Sequence, residues 1–264
     1  MKKYLFAKSF QQLTQEALMQ LCAELGITGP TLLLRNGYWT TEDHPASIPA
    51  FVSCANQFGL EVRYADTNIC SDGEDAQRLF ALLAENGIRQ IRLGYLPRPH
   101  GTAVRSMADE LCAFAEKMCR LAEKNGVQSI IQLHGWFYPQ SATAAYPAIK
   151  DLDSRYIGIK VDPGNNLSQE GYEFFDYQAD LLGEYIAALG AKNAIYTQEN
   201  GIWTPGFAPC HKGIADYAQV YRELHRVGFD GPTILMPLYT ANSVAEYKSL
   251  IAEEIRYLDQ CAQQ

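Results

Sequence analysis

Two kinds of apolar pattern alternate along the chain, and each predicts one kind of element. The first is an amphipathic stripe with helical spacing, which is clearest between residues 106 and 126. Its apolar members are Met107, Leu111, Phe114, Met118 and Leu121. Ser106 with Asp109, and Ser243 with Glu246, have the spacing of helix-capping residues. Glycines that follow such stripes predict helix ends, and these are Gly26, Gly59, Gly87, Gly126, Gly190 and Gly228.

The second pattern is a short, nearly continuous apolar run, which recurs before each helix. The runs cover residues 3–10, 31–37, 60–68, 88–96, 128–135, 156–165, 193–201 and 231–239. Strands that are apolar on both faces and alternate with helices indicate a parallel sheet. Eight such units in 264 residues predict an α/β fold, a single (β/α)8 TIM barrel over residues 1–264. A doubly wound open sheet is the alternative, but no glycine-rich phosphate loop follows an early strand.

Composition narrows the class of partner. The net charge of −8 disfavours nucleic acid and anionic membranes as partners, because both attract a basic surface. The sequence contains no apolar run long enough to span a membrane, and Lys8 interrupts the apolar start too early for a signal peptide. The seven cysteines include no C-x-x-C pair, which is typical of reduced core thiols. We therefore expect a cytoplasmic protein.

The segment IGIKVDPGNN, residues 157–166, directs attention to one strand end. Lys160 and Asp162 are two residues apart, so on a strand their side chains lie on the same face. In a TIM barrel the chemistry sits at the carboxyl ends of the strands, where both residues fall. Three interpretations remain open at this point: a metal ligand with a neighbour, a Schiff-base lysine with its acid, and a buried ion pair without chemistry.

The motifs at the last three strands carry a family resemblance. VDPGN ends the sixth run, IYTQENG followed by TPGF and HKGIADY marks the seventh, and GFDGPTIL opens the eighth. This order resembles the xylose isomerase-like barrels of the sugar phosphate isomerase/epimerase superfamily. The resemblance implies one divalent metal held by Glu, Asp, His and Glu on strands 5 to 8, with the two glutamates as acid and base.

The implied ligand positions fall on Gln132, Asp162, Tyr196 and Met236. Only Asp162 retains the family ligand. Neutral tyrosine is a poor ligand, and a thioether is too soft for magnesium or manganese. We therefore expect no firmly bound cofactor, with a weakly held divalent metal at Asp162 as the alternative.

The remaining expectations concern roles in the site. The candidate catalytic residues are His134, Lys160, Asp162 and Glu199. The candidate substrate-binding residues are Arg35, Arg98, Gln132, Asn165, Tyr196, Gln198 and Trp203. Lys160 is a fixed cation, a Schiff-base nucleophile or the ion-pair partner of Asp162. Asp162 should raise the pKa of the lysine and keep it protonated, which argues against the Schiff-base role.

The sequence thus predicts an isomerase, epimerase or related lyase that acts on a small hydroxylated or phosphorylated substrate, either without the usual metal or with a rearranged one. A non-catalytic sugar-binding or regulatory protein is the alternative, because both family glutamates are missing. A homodimer is compatible with either function.

Overall fold

A computed structural model describes residues 1–97, 99, 101–169 and 173–264 of the chain. The strands are β1 Lys3–Leu5, β2 Gly29–Pro30, β3 Leu32–Leu33, β4 Tyr64–Asp66, β5 Gln90–Arg92, β6 Gln128–Gln132, β7 Ile157–Val161, β8 Ile186–Ala191, β9 Asn193–Glu199, β10 Ile202–Ala208 and β11 Thr233–Leu235. Nine of these described strands form one parallel sheet, in the spatial order β2-β1-β11-β8-β7-β6-β5-β4-β3, and β9 and β10 form a separate hairpin.

The two ends of this sheet are halves of one barrel strand. β2 pairs with β1 and β3 pairs with β4, and only Thr31 separates β2 from β3. The N–H of Thr31 donates to the carbonyl of Leu5, so the chain stays in the sheet between the halves. The described residues therefore form an eight-stranded parallel barrel, and the predicted (β/α)8 fold is confirmed.

Helices cover the outside of the barrel. Their bounds are α1 Gln15–Glu24, α2 Ser47–Gln57, α3 Glu74–Glu85, α4 Val104–Asn125, α5 Ala142–Ile149, α6 Pro163–Ser168, α7 Phe175–Leu182, α8 Tyr217–Arg226 and α9 Val244–Cys261. Short 3-10 turns lie at Ala7–Phe10, Gly183–Tyr185 and Cys210–Lys212. No helix of the described chain is both long and apolar enough to cross a membrane.

The helix signals were right in most places. The five apolar residues of the 106–126 stripe are buried along α4, and Ser243 caps α9 by accepting the N–H of Glu246 at 3.1 Å. The capping box at Ser106 was wrong, because α4 begins earlier, at Val104, and Ala103 precedes it without a side-chain cap. Gly190 was also wrong as a helix end, since it lies inside β8, whereas the other five glycines have positive φ.

The seventh barrel strand is the main correction to the predicted fold. It is β8, with all six residues of IAALGA buried, and it pairs with β7 and β11. Residues 193–201 do contain a strand, β9, but this strand pairs antiparallel with β10 in a hairpin outside the barrel. Four consecutive residues of β9, 196–199, are exposed. The barrel sheet is covered on both faces, whereas the hairpin is largely solvated.

Large apolar side chains fill the barrel interior, whereas the layer at the carboxyl ends of the strands is polar. The apolar interior includes Tyr4, Phe6, Leu33, Tyr64, Ile130, Ala188, Ile234 and Met236. Above it, toward the carboxyl ends of the strands, buried polar side chains converge: Asp66, Arg92, Gln132, Lys160, Asp162 and Lys192. This layer contains the candidate site.

Candidate active site

Asp162 lies at the centre of the polar layer, immediately after β7. Its Oδ1 accepts the backbone N–H of Asn165 at 3.0 Å, which makes Asp162 the N-cap of α6. Its Oδ2 accepts a hydrogen bond from Nε2 of Gln132 at 3.0 Å and lies 3.2 Å from Nζ of Lys192. Both carboxylate oxygens are thus bound by groups of the chain itself.

A line of buried contacts continues from Gln132 across the barrel. Oε1 of Gln132 accepts the hydroxyl of Tyr95 at 2.9 Å. The guanidinium of Arg92 lies 4.9 Å from the centre of the Tyr95 ring, a cation–π distance. Nε of Arg92 is 3.2 Å from Oδ1 of Asp66, and both side chains are buried. The two carboxylates of the layer, Asp66 and Asp162, therefore each have a cationic partner.

Lys160 is fully buried and stands apart from this network. Its Nζ has no hydrogen-bond partner among the described residues and lies 5.7 Å and 5.6 Å from the ring centres of Phe6 and Tyr64. Burial lowers the pKa of Lys160 from 10.5 to about 8, because the charges of Asp66 and Asp162 offset only part of the desolvation. Asp162 does raise this pKa as expected, but burial outweighs it, and the expected ion pair was wrong, because Lys160 has no salt bridge to Asp162 among the described residues.

Lys192, which sequence reasoning missed, is the lysine that does pair with Asp162. The Nζ of this buried side chain lies 4.5 Å from the ring centre of Phe207 on β10. The lysine also packs on the first turn of α6, where a Cβ added at Gly164 would lie 2.6 Å from its Cγ. Its carbonyl accepts the Tyr217 hydroxyl at 2.7 Å. Had IAALGA been assigned to the barrel, Lys192 would have stood out as a strand-end cation.

His134 follows β6 and is half-buried between aromatic rings. The ring centres of Tyr95 and Phe137 are 4.8 Å and 5.1 Å away, both in edge-to-face geometry. Burial lowers the pKa of His134 from 6.5 to about 4, and the charge of Lys192 lowers it further than the charge of Asp162 restores it. The imidazole is therefore neutral at pH 7, so it can donate from one nitrogen and accept at the other.

The rim beside the barrel mouth carries charges of both signs. Arg35 is half-buried after β3 and lines a cavity of about 310 Å³ together with Asn36, Asn68 and two acidic residues, Glu42 and Asp43. Lys8 lies nearby with much of its side chain in solvent, and partial desolvation of its ammonium together with the charges of Arg35 and Lys192 lowers its pKa. Neither Lys8 nor Arg35 has a salt-bridge partner in the described part of the chain.

The predicted strand-7 residues lie on the hairpin and do not join Asp162. Tyr196 is 42% exposed, and its hydroxyl donates to the carbonyl of Leu167. Gln198 and Glu199 are exposed at the end of β9, and Trp203, opposite Gln198 on β10, is 62% exposed. Asn165 is buried beside Asp162, and its amide donates to the carbonyl of Leu133. Arg98 lies outside the described residues.

Comparison with known families agrees with this architecture. A family model described as "Xylose isomerase-like TIM barrel" matches residues 19–261. The chain belongs to this family. A search of curated proteins finds no match.

Solved structures of the family share the fold at low sequence identity. A D-psicose 3-epimerase from Clostridium cellulolyticum H10, solved with D-tagatose, is 12% identical with a TM-score of 0.71, covering 99% of each chain. A probable 3-DHS dehydratase from Bacillus anthracis is 15% identical with a TM-score of 0.74, covering 98% of this chain and 99% of the other. A xylose isomerase-like protein from Mycobacterium smegmatis, solved with magnesium, is 19% identical with a TM-score of 0.69, covering 94% and 87%. At these identities the likeness concerns the fold.

The four-ligand metal set implied by the family resemblance does not fit the residues present. With β8 as barrel strand 7, the position beside Asp162 is Gly190, not Tyr196: a Cβ added there would lie 3.1 Å from Oδ2 of Asp162. The set therefore reads Gln132, Asp162, Gly190 and Met236, with a lysine ammonium already on Asp162. Among the described residues, no group of three or more His, Cys, Asp or Glu side chains could hold a metal ion.

Proposed function

We propose that this barrel is an isomerase or epimerase, or a related lyase, which acts on a small hydroxylated substrate with a carboxylate, phosphate or keto group and works without a divalent metal. The observation that carries the proposal is the ion pair of Lys192 with Asp162, with 3.2 Å between Nζ and Oδ2. A fixed cation at the carboxyl end of the barrel strands stabilises negative charge that develops on a substrate oxygen.

The charges at the mouth support an anionic substrate. The pKa of Lys8 is lowered by the charges of Arg35, Lys192 and Arg92, so these four cations lie close together. Arg92 and Lys192 are paired with Asp66 and Asp162, which leaves Lys8 and Arg35 at the rim, and the buried Lys160, without a salt-bridge partner among the described residues. A planar guanidinium such as Arg35 binds a carboxylate or phosphate through two parallel hydrogen bonds. The adjoining cavity is lined by Arg35 together with Glu42 and Asp43, so it presents charges of both signs to a substrate.

His134 is the group best suited to move a proton in this site. The two family glutamates are replaced by Gln132 and Met236, so neither position supplies a carboxylate. A neutral imidazole donates a hydrogen bond to a carbonyl oxygen and can transfer that proton to the oxygen as the enediol forms, a step that belongs to isomerisation of an α-hydroxycarbonyl compound; with a pKa of about 4 it is too weak a base to take the proton from the adjacent carbon. Tyr95 and Phe137 hold the ring in place.

Deuterium exchange tests this chemistry across a whole class of candidate substrates. Chelator-treated protein is incubated in D2O with a panel of ketoses, keto acids and their phosphates, and proton NMR follows loss of the signal next to the carbonyl. We expect deuterium exchange with at least one anionic compound of the panel. The exchange rate should fall strongly in His134→Gln and stay at the wild-type value in the control His225→Gln, which changes an exposed histidine of α8. Thermal stabilisation by a panel member without any exchange would favour the alternative, a non-catalytic sugar-binding protein.

A further inference from the structure

Two lysines occupy the space around Asp162 into which metal ligands of the family would project. Lys192 places its ammonium on Oδ2 of Asp162. Lys160 reaches the same space from β7, because a Cβ added at Gly190 would lie 3.1 Å from Cε of Lys160 as well as from Oδ2 of Asp162. A side chain at residue 190 and the present Lys160 side chain therefore compete for one volume.

The cradle of Lys192 is built from several elements, so its position is defined by packing as well as by charge. Asp162 holds the ammonium from one side and the ring of Phe207 lies 4.5 Å from it. The absence of a side chain at Gly164 allows α6 to contact the lysine stem. The Tyr217 hydroxyl fixes the backbone carbonyl of the lysine. A surface lysine that met Asp162 by chance would have none of these contacts.

The charge of Lys192 acts on His134, a half-buried side chain at the barrel mouth. After burial, it is the largest contribution to the lowered pKa of His134, whose ring is only half-buried. Lys160 lies deeper, and its Nζ finds no hydrogen-bond partner among the described residues. An unpaired buried ammonium is costly, and such groups are characteristic of sites where charge is used.

We infer that Lys192 and Lys160 together take the place of the divalent metal: Lys192 is the fixed cation beside the substrate oxygens, and Lys160 fills the position of the missing strand-7 ligand. The inference deepens the proposed function and rests on it for the role of the charge. That the two lysines occupy the metal site can be tested without knowing the substrate. It gives Lys192 the role of stabilising negative charge on the substrate in the transition state, and it explains by the Lys160–Gly190 contact why no imidazole projects there.

A pair of variants tests the replacement through metal content. Both carry the ligand substitutions Gln132→Glu, Gly190→His and Met236→Glu, and one of them also carries Lys160→Ala and Lys192→Ala. After incubation with Mn²⁺ and dialysis, metal analysis should find about one Mn²⁺ per chain in the lysine-free variant and none in the variant that keeps both lysines, since like charge and lost volume exclude the ion. Equal Mn²⁺ binding by the two folded variants, or none by either, would overturn the inference.

A second measurement needs only single substitutions, in case the multiple variants do not fold. Lys192→Ala leaves the Asp162 carboxylate buried and unpaired, so we expect the melting temperature to fall by roughly 10 °C. Ethylammonium should restore part of this loss in Lys192→Ala, because the ion fits the vacated space, but not in Lys192→Met, where the side chain fills it. An unchanged melting temperature in Lys192→Ala, or equal rescue of both variants, would contradict the role assigned to Lys192.

These readouts separate the two proposals. If the metal and ethylammonium experiments succeed and no panel compound exchanges deuterium, the lysine replacement stands and the proposed reaction fails. If exchange occurs and Lys192→Ala retains it at the wild-type rate, the reaction stands and the lysine is not the cation that serves it. Loss of turnover with little change in KM is the expected signature of a charge that stabilises the transition state.

Discussion

Replacing Lys160 by methionine should make the protein more stable, although the substitution deletes a charge from its candidate site. The side chain is fully buried, its Nζ has no hydrogen-bond partner among the described residues, and burial lowers the pKa of the lysine from 10.5 to about 8. At 1.36 kcal/mol for each pKa unit, that difference corresponds to about 3 kcal/mol. Methionine has similar length and carries no charge, so it fits the same space between Phe6 and Tyr64.

The pH dependence of the gain in unfolding free energy shows whether the gain comes from removing the lysine charge. The unfolded chain holds the lysine proton up to about pH 10.5, whereas the folded chain releases it near pH 8. The folded state therefore bears the full penalty below pH 8, and the penalty disappears as the pH rises toward 10.5. We expect Lys160→Met to raise the free energy of unfolding by about 3 kcal/mol at pH 7 and by about 1 kcal/mol at pH 9.5.

Urea unfolding followed by circular dichroism at the two pH values measures this gain. Lys248→Met is the matched control, because Lys248 is a half-exposed lysine in a surface salt bridge with Glu24 and should change stability by less than about 1 kcal/mol. Destabilisation by Lys160→Met at pH 7 would refute the reasoning, since it would mean that the ammonium has a strong partner in the folded protein. A gain that does not depend on pH would refute the electrostatic origin and leave only improved packing.

Three further predictions concern neighbouring features. Gly190→Ala should cost about 1–3 kcal/mol in urea unfolding because the added Cβ would lie 3.1 Å from both Cε of Lys160 and Oδ2 of Asp162, and less in a Lys160→Ala background, where only the approach to Asp162 remains. Glu254→Ala should cost about 3 kcal/mol by the same assay, because the carboxylate accepts the N–H of Cys210 and the Tyr239 hydroxyl inside the protein; Glu254→Gln should cost less. Folding disfavours protonation of His134, so stability should fall as the pH drops from 6.5 to 4, and acid titration of His134→Gln should show a loss smaller by on the order of 2 kcal/mol.

The barrel was predictable because its signals are local and repeated. Each unit combines an apolar strand with an amphipathic helix, and the barrel follows once eight such units are counted. The α4 stripe and the Ser243 cap needed no tertiary information. The strand-end rule also located Gln132, His134, Lys160 and Asp162 correctly, since all four are in the polar layer at the mouth or beside it.

Strand 7 could not be assigned correctly from the sequence alone. Residues 186–191 read IAALGA, and alanine and leucine favour helix, so the run looked like a helix that ends at Gly190. Residues 193–199 alternate as a strand should and do form one, but that strand pairs outside the barrel. Burial on both faces decides which run enters the barrel, and burial is a property of the folded chain. The error moved the expected site toward Glu199 and hid Lys192.

The contacts of Asp162 in the folded chain explain this residue without a metal. Read from the motif VDPGN, Asp162 is the last ligand of a metal site. In the folded chain, Oδ1 caps α6 through Asn165, and Oδ2 binds both Gln132 and Lys192. A cap and a buried ion pair each account for a carboxylate at this position, because removing it would leave the helix N–H and the ammonium unpaired. The presence of Asp162 is therefore not by itself evidence for a metal, and the proposed metal-free function depends on Lys192.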